Sequence, residues 1–118
     1  MREQENRRNA PRVPISLIAR CCQEDLIEVG IIVCNLSTGG MSIKTNYPLS
    51  VNDELEVAFQ LPDRFKTVLF VSGKVAWLQH HGIIPGRETT FFTGGIKFLN
   101  LQESSLAILD EYVQSVVE

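Results

Sequence analysis

At 118 residues the chain holds one domain with its own core and is too short for two. Its composition, 44% hydrophobic and 21% charged, is ordinary for a globular protein. No apolar run approaches the ~20 residues of a membrane helix, so no membrane insertion is expected. Glu3 and Glu5, with no apolar stretch around them, argue against a signal peptide, and the expected compartment is the cytoplasm. The net charge of −3 argues against a general DNA or RNA binder.

Charge is unevenly spread. Arg2, Arg7, Arg8, Arg12 and Arg20 face only Glu3 and Glu5 in the first twenty residues, a balance of +3. The remaining residues carry a balance of −6. Every basic residue of the first segment is arginine, whose planar fork of donors matches phosphate oxygens and guanine edges. A solvated basic tail accounts for the same charges. Cys21, Cys22 and Cys34 are odd in number and lack ligand spacing, so reduced thiols acting as small hydrophobes are expected, with no metal site.

In chain order, residues 1–12 read as a flexible arginine arm and residues 13–118 as the folded domain. Val13, Ile15, Leu17, Ala19 and Cys21 alternate with their neighbours as a strand with one drier face, before a turn at Gln23-Glu24-Asp25. An Ile/Val-rich run from Glu28 to Cys34 ends at a turn over Asn35–Gly40, and Met41–Thr45 returns as a hairpin partner. Asn46–Asp53 is a loop, Glu54–Leu61 a half-buried strand, and Pro62-Asp63-Arg64 a turn. Val68–Leu78 is a long strand whose Gly73 suggests a bulge or a barrel corner. His80–Thr90 reads as the longest loop, and Phe91–Phe98 as the last strand. The period then changes. Asn100 with Glu103 suggests a capping box, and Leu106, Leu109, Val113 and Val116 recur at helical spacing, with Ile108, Tyr112 and Val117 widening the stripe. A helix over 102–117 follows. Six strands and one helix predict an all-β fold, an antiparallel barrel plugged or flanked by a C-terminal helix.

Two clusters carry candidate chemistry. Pro11 disfavours helix just before it, so Arg8 and Arg12 sit on an extended or turning arm able to wrap an anion with forked, charge-assisted bonds. In the turn, Gly39 and Gly40 offer positive φ and close backbone approach, Asn35 can donate to and accept from a base edge, and Ser37 can bond a phosphate, a base or nearby backbone. Hairpin geometry alone also explains this turn.

Arg8-x-x-x-Arg12 followed by Asn35-x-Ser37-x-x-Gly40 resembles the two-part signature of PilZ domains. Gly73-Lys74-Val75-Ala76-Trp77 resembles that family's Gly-x-Val-x-Trp strand, and Thr93-Gly94-Gly95-Ile96-Lys97-Phe98 with the following helix resembles its usual end. The match spans about residues 7 to 117. It implies a six-stranded antiparallel barrel with a C-terminal helix that binds the bacterial second messenger cyclic di-GMP. Carried over by position, Arg7, Arg8 and Arg12 meet phosphates and guanine edges, while Asn35, Ser37, Gly39 and Gly40 form the opposing wall. Arg7 is similar to the extra arginine of members that hold two intercalated ligand molecules. The ligand replaces any cofactor, and the resemblance implies a relay to a downstream effector protein.

Elsewhere, His80-His81 read as a solvent-exposed pair. Trp77 reads as core, with contact to a base from the barrel mouth as the alternative, and Lys97 and Arg20 as residues of solvated strand faces, with reach to a phosphate as theirs. Asp53, Glu54 and Glu56 lack an acid–base framework, so no catalytic residue and no enzyme activity are expected. Two alternatives stay open: a PilZ-like scaffold that binds a protein without nucleotide, and a barrel that binds single-stranded nucleic acid. The acidic body weighs against the second.

Overall fold

The computed structural model describes residues 11–23, 28–62, 65–82 and 91–117. Six strands follow in order: β1 (Val13–Cys22), β2 (Glu28–Leu36), β3 (Gly40–Thr45), β4 (Glu54–Gln60), β5 (Val68–His81) and β6 (Phe91–Leu99). They close into a barrel with spatial order β1-β2-β3-β6-β5-β4, every pairing antiparallel. Closure pairs both edges of every strand, which an open sheet cannot do. The expected all-β barrel with a C-terminal helix is therefore the fold.

Alternation fills the interior. Ala19 and Cys21 of β1, Ile31 and Val33 of β2, and Met41 and Ile43 of β3 all face inward and are buried. Leu55, Val57 and Phe59 of β4 complete that wall against Leu69, Val71 and Val75 of β5. Each Val, Leu, Ile, Phe or Met side chain among them contributes about 1.5–3 kcal/mol by leaving water. Gly73 serves this packing: a Cβ there would overlap the Ile96 side chain. No register shift occurs at Gly73 itself; the β5 irregularity lies between Val75 and Trp77.

The helix α1 (Glu103–Val117) buries Leu109, Tyr112 and Val113, and Tyr112 meets Phe65 edge-on at 5.4 Å between ring centroids. Its buried stripe is narrower than the spacing suggests, because Leu106, Val116 and Val117 are exposed. Asn100 is not the cap. It adopts a left-handed φ of 49° in the turn after β6, a conformation asparagine tolerates, and the first helical bond runs from Leu106 N–H to the Gln102 carbonyl.

Other boundaries shift as well. β2 continues through Asn35 and Leu36, and β5 continues through His80 and His81, which the sequence pattern places in a loop. His81 is only half-buried rather than open, stacking on Phe91 at 4.5 Å with rings 9° apart. Residues 1–10 of the arginine arm, including Arg7 and Arg8, lie outside the described residues. So do parts of three expected connections: 24–27, 63–64 and 83–90. Among the described residues, no helix is long and apolar enough to cross a membrane.

Candidate functional site

Two strands change face within a few residues, and both changes present a polar or aromatic side chain outward. In β2, Ile31 and Val33 point inward, so strict alternation would send Asn35 inward too. A register shift between Val33 and Asn35 leaves Cys34 as an extra residue, and Asn35 turns outward to pair with Ser42. In β5, Val71 and Val75 point inward, and alternation would bury Trp77. The shift between Val75 and Trp77 makes Ala76 the extra residue, and Trp77 pairs outward with Gly95. Bulges re-aim side chains in this way because one unpaired residue reverses the pleat.

Trp77 is therefore not core. It is 47% exposed, and a Cβ on Gly95 would overlap its indole, so the ring lies across the bare backbone of β6. The glycine pair Gly94-Gly95 marks a stretch of bare backbone within β6 but does not say which strand lays a ring across it. Registers place Pro14, Asn35, Ser42, Gly95 and Trp77 in one row across β1, β2, β3, β6 and β5. At 4.7–4.9 Å per strand, Asn35 and Trp77 stand about 14 Å apart along the sheet.

Arg12 joins this row from just before β1. Its Nη1 donates to Asn35 Oδ1 at 2.9 Å, so one residue of the arginine motif touches the first residue of the turn motif. They are 23 positions apart in sequence. The β1–β2 pairing of Val13 with Leu36 and of Pro14 with Asn35 delivers Arg12 there.

The turn itself is closed on itself. Ser37 N–H donates to the Gly40 carbonyl at 2.9 Å, and Ser37 Oγ accepts from Gly39 N–H and Gly40 N–H, both at 3.2 Å. The same hydroxyl lies 3.3 Å from the Gly40 carbonyl, to which it donates. Ser37 is only 4% exposed, and burial makes such bonds costly to remove. Gly40 is needed for a different reason from that expected, and no steric requirement falls on Gly39. Neither Gly39 nor Gly40 takes a left-handed φ. Instead, a Cβ on Gly40 would collide with the Ile96 carbonyl of the neighbouring strand. Phe98 N–H donates to the Gly39 carbonyl at 2.9 Å, tying the exposed turn tip to β6.

The remaining candidates are structural or scattered. Asp53 accepts from Ser50 N–H and Gln23 Nε2 through one carboxylate oxygen, and Glu56 accepts from Ser72 Oγ. Both carboxylates thus hold connections and strands together. Cys21 is buried, Cys22 half-buried and Cys34 exposed on its bulge, so only the first behaves as a core hydrophobe. Burial, and secondarily the adjacent Cys22, pushes the Cys21 thiol up to about 11. Among the described residues, no group of three or more His, Cys, Asp or Glu side chains is placed to hold a metal ion.

The fold has solved counterparts. The PilZ domain of YcgR from Escherichia coli, solved with cyclic di-GMP, matches with a TM-score of 0.73 at 19% identity, covering 94% of this chain and 92% of that one. MrkH of K. pneumonia matches with a TM-score of 0.75 at 13% identity over 93% of this chain. The inhibitor of motility MotI/DgrA of Bacillus subtilis gives 0.71 at 14% identity over 91%. This chain spans about half of those two proteins, 48% and 49% of their lengths. No curated protein matches the sequence significantly. The PilZ domain profile matches residues 6–115, from the arginine motif to the last turns of α1. The chain belongs to the PilZ domain family.

Proposed function

We propose that this domain is a non-enzymatic receptor for cyclic di-GMP. Arg7, Arg8 and Arg12 grip phosphates and guanine edges, while Asn35 and the backbone of the Ser37–Gly40 turn form the opposing wall. The observation that supports this reading is the 2.9 Å bond from Arg12 of the arginine motif to Asn35 of the turn motif. Cyclic di-GMP bears two phosphates and two guanines, and arginine addresses both chemistries through forked donors. Ser37 acts through the turn, since its hydroxyl is engaged by Gly39 and Gly40. Gly40 admits the close packing that holds the wall in place, and Gly39 leaves the tip uncovered. Trp77 adds an exposed ring at the other end of the same row, suited to stacking on a purine. The cyclic di-GMP complex of the YcgR domain supports this reading.

Binding orders the arm and changes the surface offered to a downstream effector protein, which relays the signal by contact. A segment that orders on binding must recover its lost entropy, and a multiply charged ligand supplies the contacts to do so.

Calorimetry on the full chain with cyclic di-GMP, GTP and a short single-stranded oligonucleotide tests the reading. The expected result is saturable binding of cyclic di-GMP alone, lost in Arg8→Ala and in Arg12→Ala while the circular dichroism spectrum stays unchanged. Wild-type affinity in both variants would falsify the site. Failure of the wild type to bind cyclic di-GMP favours the protein-scaffold alternative. Protease digestion checks the arm: the sites within residues 1–12 should become protected when ligand is added.

A further inference from the structure

The face that carries Trp77 is also where the lysines gather. The chain has four, Lys44, Lys66, Lys74 and Lys97. Lys44 pairs across β3 with Thr93, and Lys97 pairs across β6 with Gly40 and Lys74. Thr93 and Lys97 lie two residues to either side of Gly95, the residue beneath the Trp77 indole. At 3.3–3.4 Å of rise per residue, the two lysine positions stand about 7 Å from that point in opposite directions along the strands. Lys44 and Lys97 are both exposed.

Each lysine has a local frame. The Lys44 ammonium sits 5.3 Å from the Phe91 ring centroid, and Phe91 stacks on His81, which holds Thr93 Oγ1 at 3.0 Å. The stem of Lys44 therefore runs along the sheet surface instead of into solvent. Lys97 stands beside the Ser37–Gly40 turn, next to the Phe98 N–H bond that fastens the turn tip to β6. Lys74 differs, since its register partner on β4 is Glu54. Beyond residue 20 the chain carries a balance of −6, so two lysines flanking a lone tryptophan are not a sample of its average surface.

We infer that Lys44 and Lys97 are phosphate contacts bracketing the Trp77–Gly95 platform. The footprint that runs from the arginine arm across β3 and β6 to Trp77 then carries phosphate-binding charge on both sides of its far end. The inference rests on the cyclic di-GMP reading above. A purine stacked on Trp77 carries its phosphates to the rim of the ring, within reach of flexible ammonium groups on both sides. Lysine serves phosphate as a point charge without demanding one geometry, and exposed charge contacts weaken with salt.

Trp77 is the only tryptophan, so its fluorescence reports this platform directly. The full chain is titrated with cyclic di-GMP at low and high salt, with calorimetry in parallel. Lys44→Gln and Lys97→Gln each weaken binding several-fold, and the double variant loses about tenfold or more at low salt, the scale of one charge-assisted contact. The double variant also flattens the salt dependence, while the fluorescence change at saturation stays that of the wild type. Lys66→Gln, in the β4–β5 connection, stays within about twofold. Near-wild-type affinity and salt dependence in the double variant, or an equal loss in Lys66→Gln, overturns the inference. If Arg12→Ala still abolishes binding in that case, the receptor reading stands. No saturable binding by the wild type overturns both.

Discussion

The bulges of β2 and β5 do the same thing to the chain and leave their residues in different states. At Cys34 the extra residue turns Asn35 outward, where Arg12 meets its amide oxygen and the residue is half-buried. At Ala76 the extra residue turns Trp77 outward onto bare backbone at Gly95, where nearly half the side chain stays open to solvent. The β2 end continues into a turn whose buried polar groups satisfy one another, with Ser37 at its centre. The β5 end holds an apolar ring with one covered face and one available. One end is a built wall and the other is a platform. In the proposed receptor, rigid geometry at the wall would orient a ligand, and the open ring would supply area that is realised only when something stacks on it.

Substitutions at the paired glycines separate the two ends most sharply. Gly40→Ala places a Cβ against the main-chain carbonyl of Ile96, which has no side chain to swing away, and costs about 1–3 kcal/mol in urea unfolding. Gly95→Ala places a Cβ whose three nearest atoms all belong to the Trp77 indole. Its stability cost stays below about 1 kcal/mol, because an exposed ring relocates more easily than backbone, and the tryptophan emission shifts. Equal costs at the two glycines would erase the distinction between wall and platform.

Trp77→Ala comes next. It leaves the unfolding midpoint nearly unchanged and removes about 1–3 kcal/mol of cyclic di-GMP binding, the scale of one stacked base. Ser37→Ala has the opposite signature: removing the shared acceptor of two turn N–H groups costs about 1–2 kcal/mol of stability, and affinity falls as the wall loosens. Chemical unfolding beside calorimetry on both variants shows which loss dominates in each.

The smallest effect compares the bulge cysteine with the interior one. Thiol alkylation of the native protein near neutral pH modifies exposed Cys34 first and leaves Cys21 unreacted until the barrel unfolds. Burial raises the Cys21 thiol from 9.0 to about 11, so the folded state resists forming its thiolate. The associated stability is fully present below pH 9 and is lost as pH rises towards 11. The unfolding midpoint of Cys21→Ala lacks that part of the alkaline slope.

Much of this was legible along the chain. Period-two alternation from Val13 onward and helical spacing after Asn100 were enough for the barrel and the helix, and of the motif residues Arg12 and Asn35 meet in the structure. Composition and local periodicity report which residues prefer water and which do not, and those preferences belong to each segment by itself. They also located the Asn35–Gly40 turn, while assigning its glycines a left-handed φ that neither adopts; the close approach of the Ile96 carbonyl is what requires glycine at position 40.

The facing of Asn35 and Trp77 was not legible, because a bulge leaves no mark in composition. Cys34 and Ala76 are unexceptional residues in apolar runs, and only their cross-strand partners show that one position is extra. Those partners, Ile43 and Ser42 for β2 and Ile96 and Gly95 for β5, settle register through contacts between segments. Secondary structure and motifs thus follow from the sequence itself. The tertiary pairing of strands decided which side chains left the core, because a one-residue slip in register reverses the face of everything beyond it.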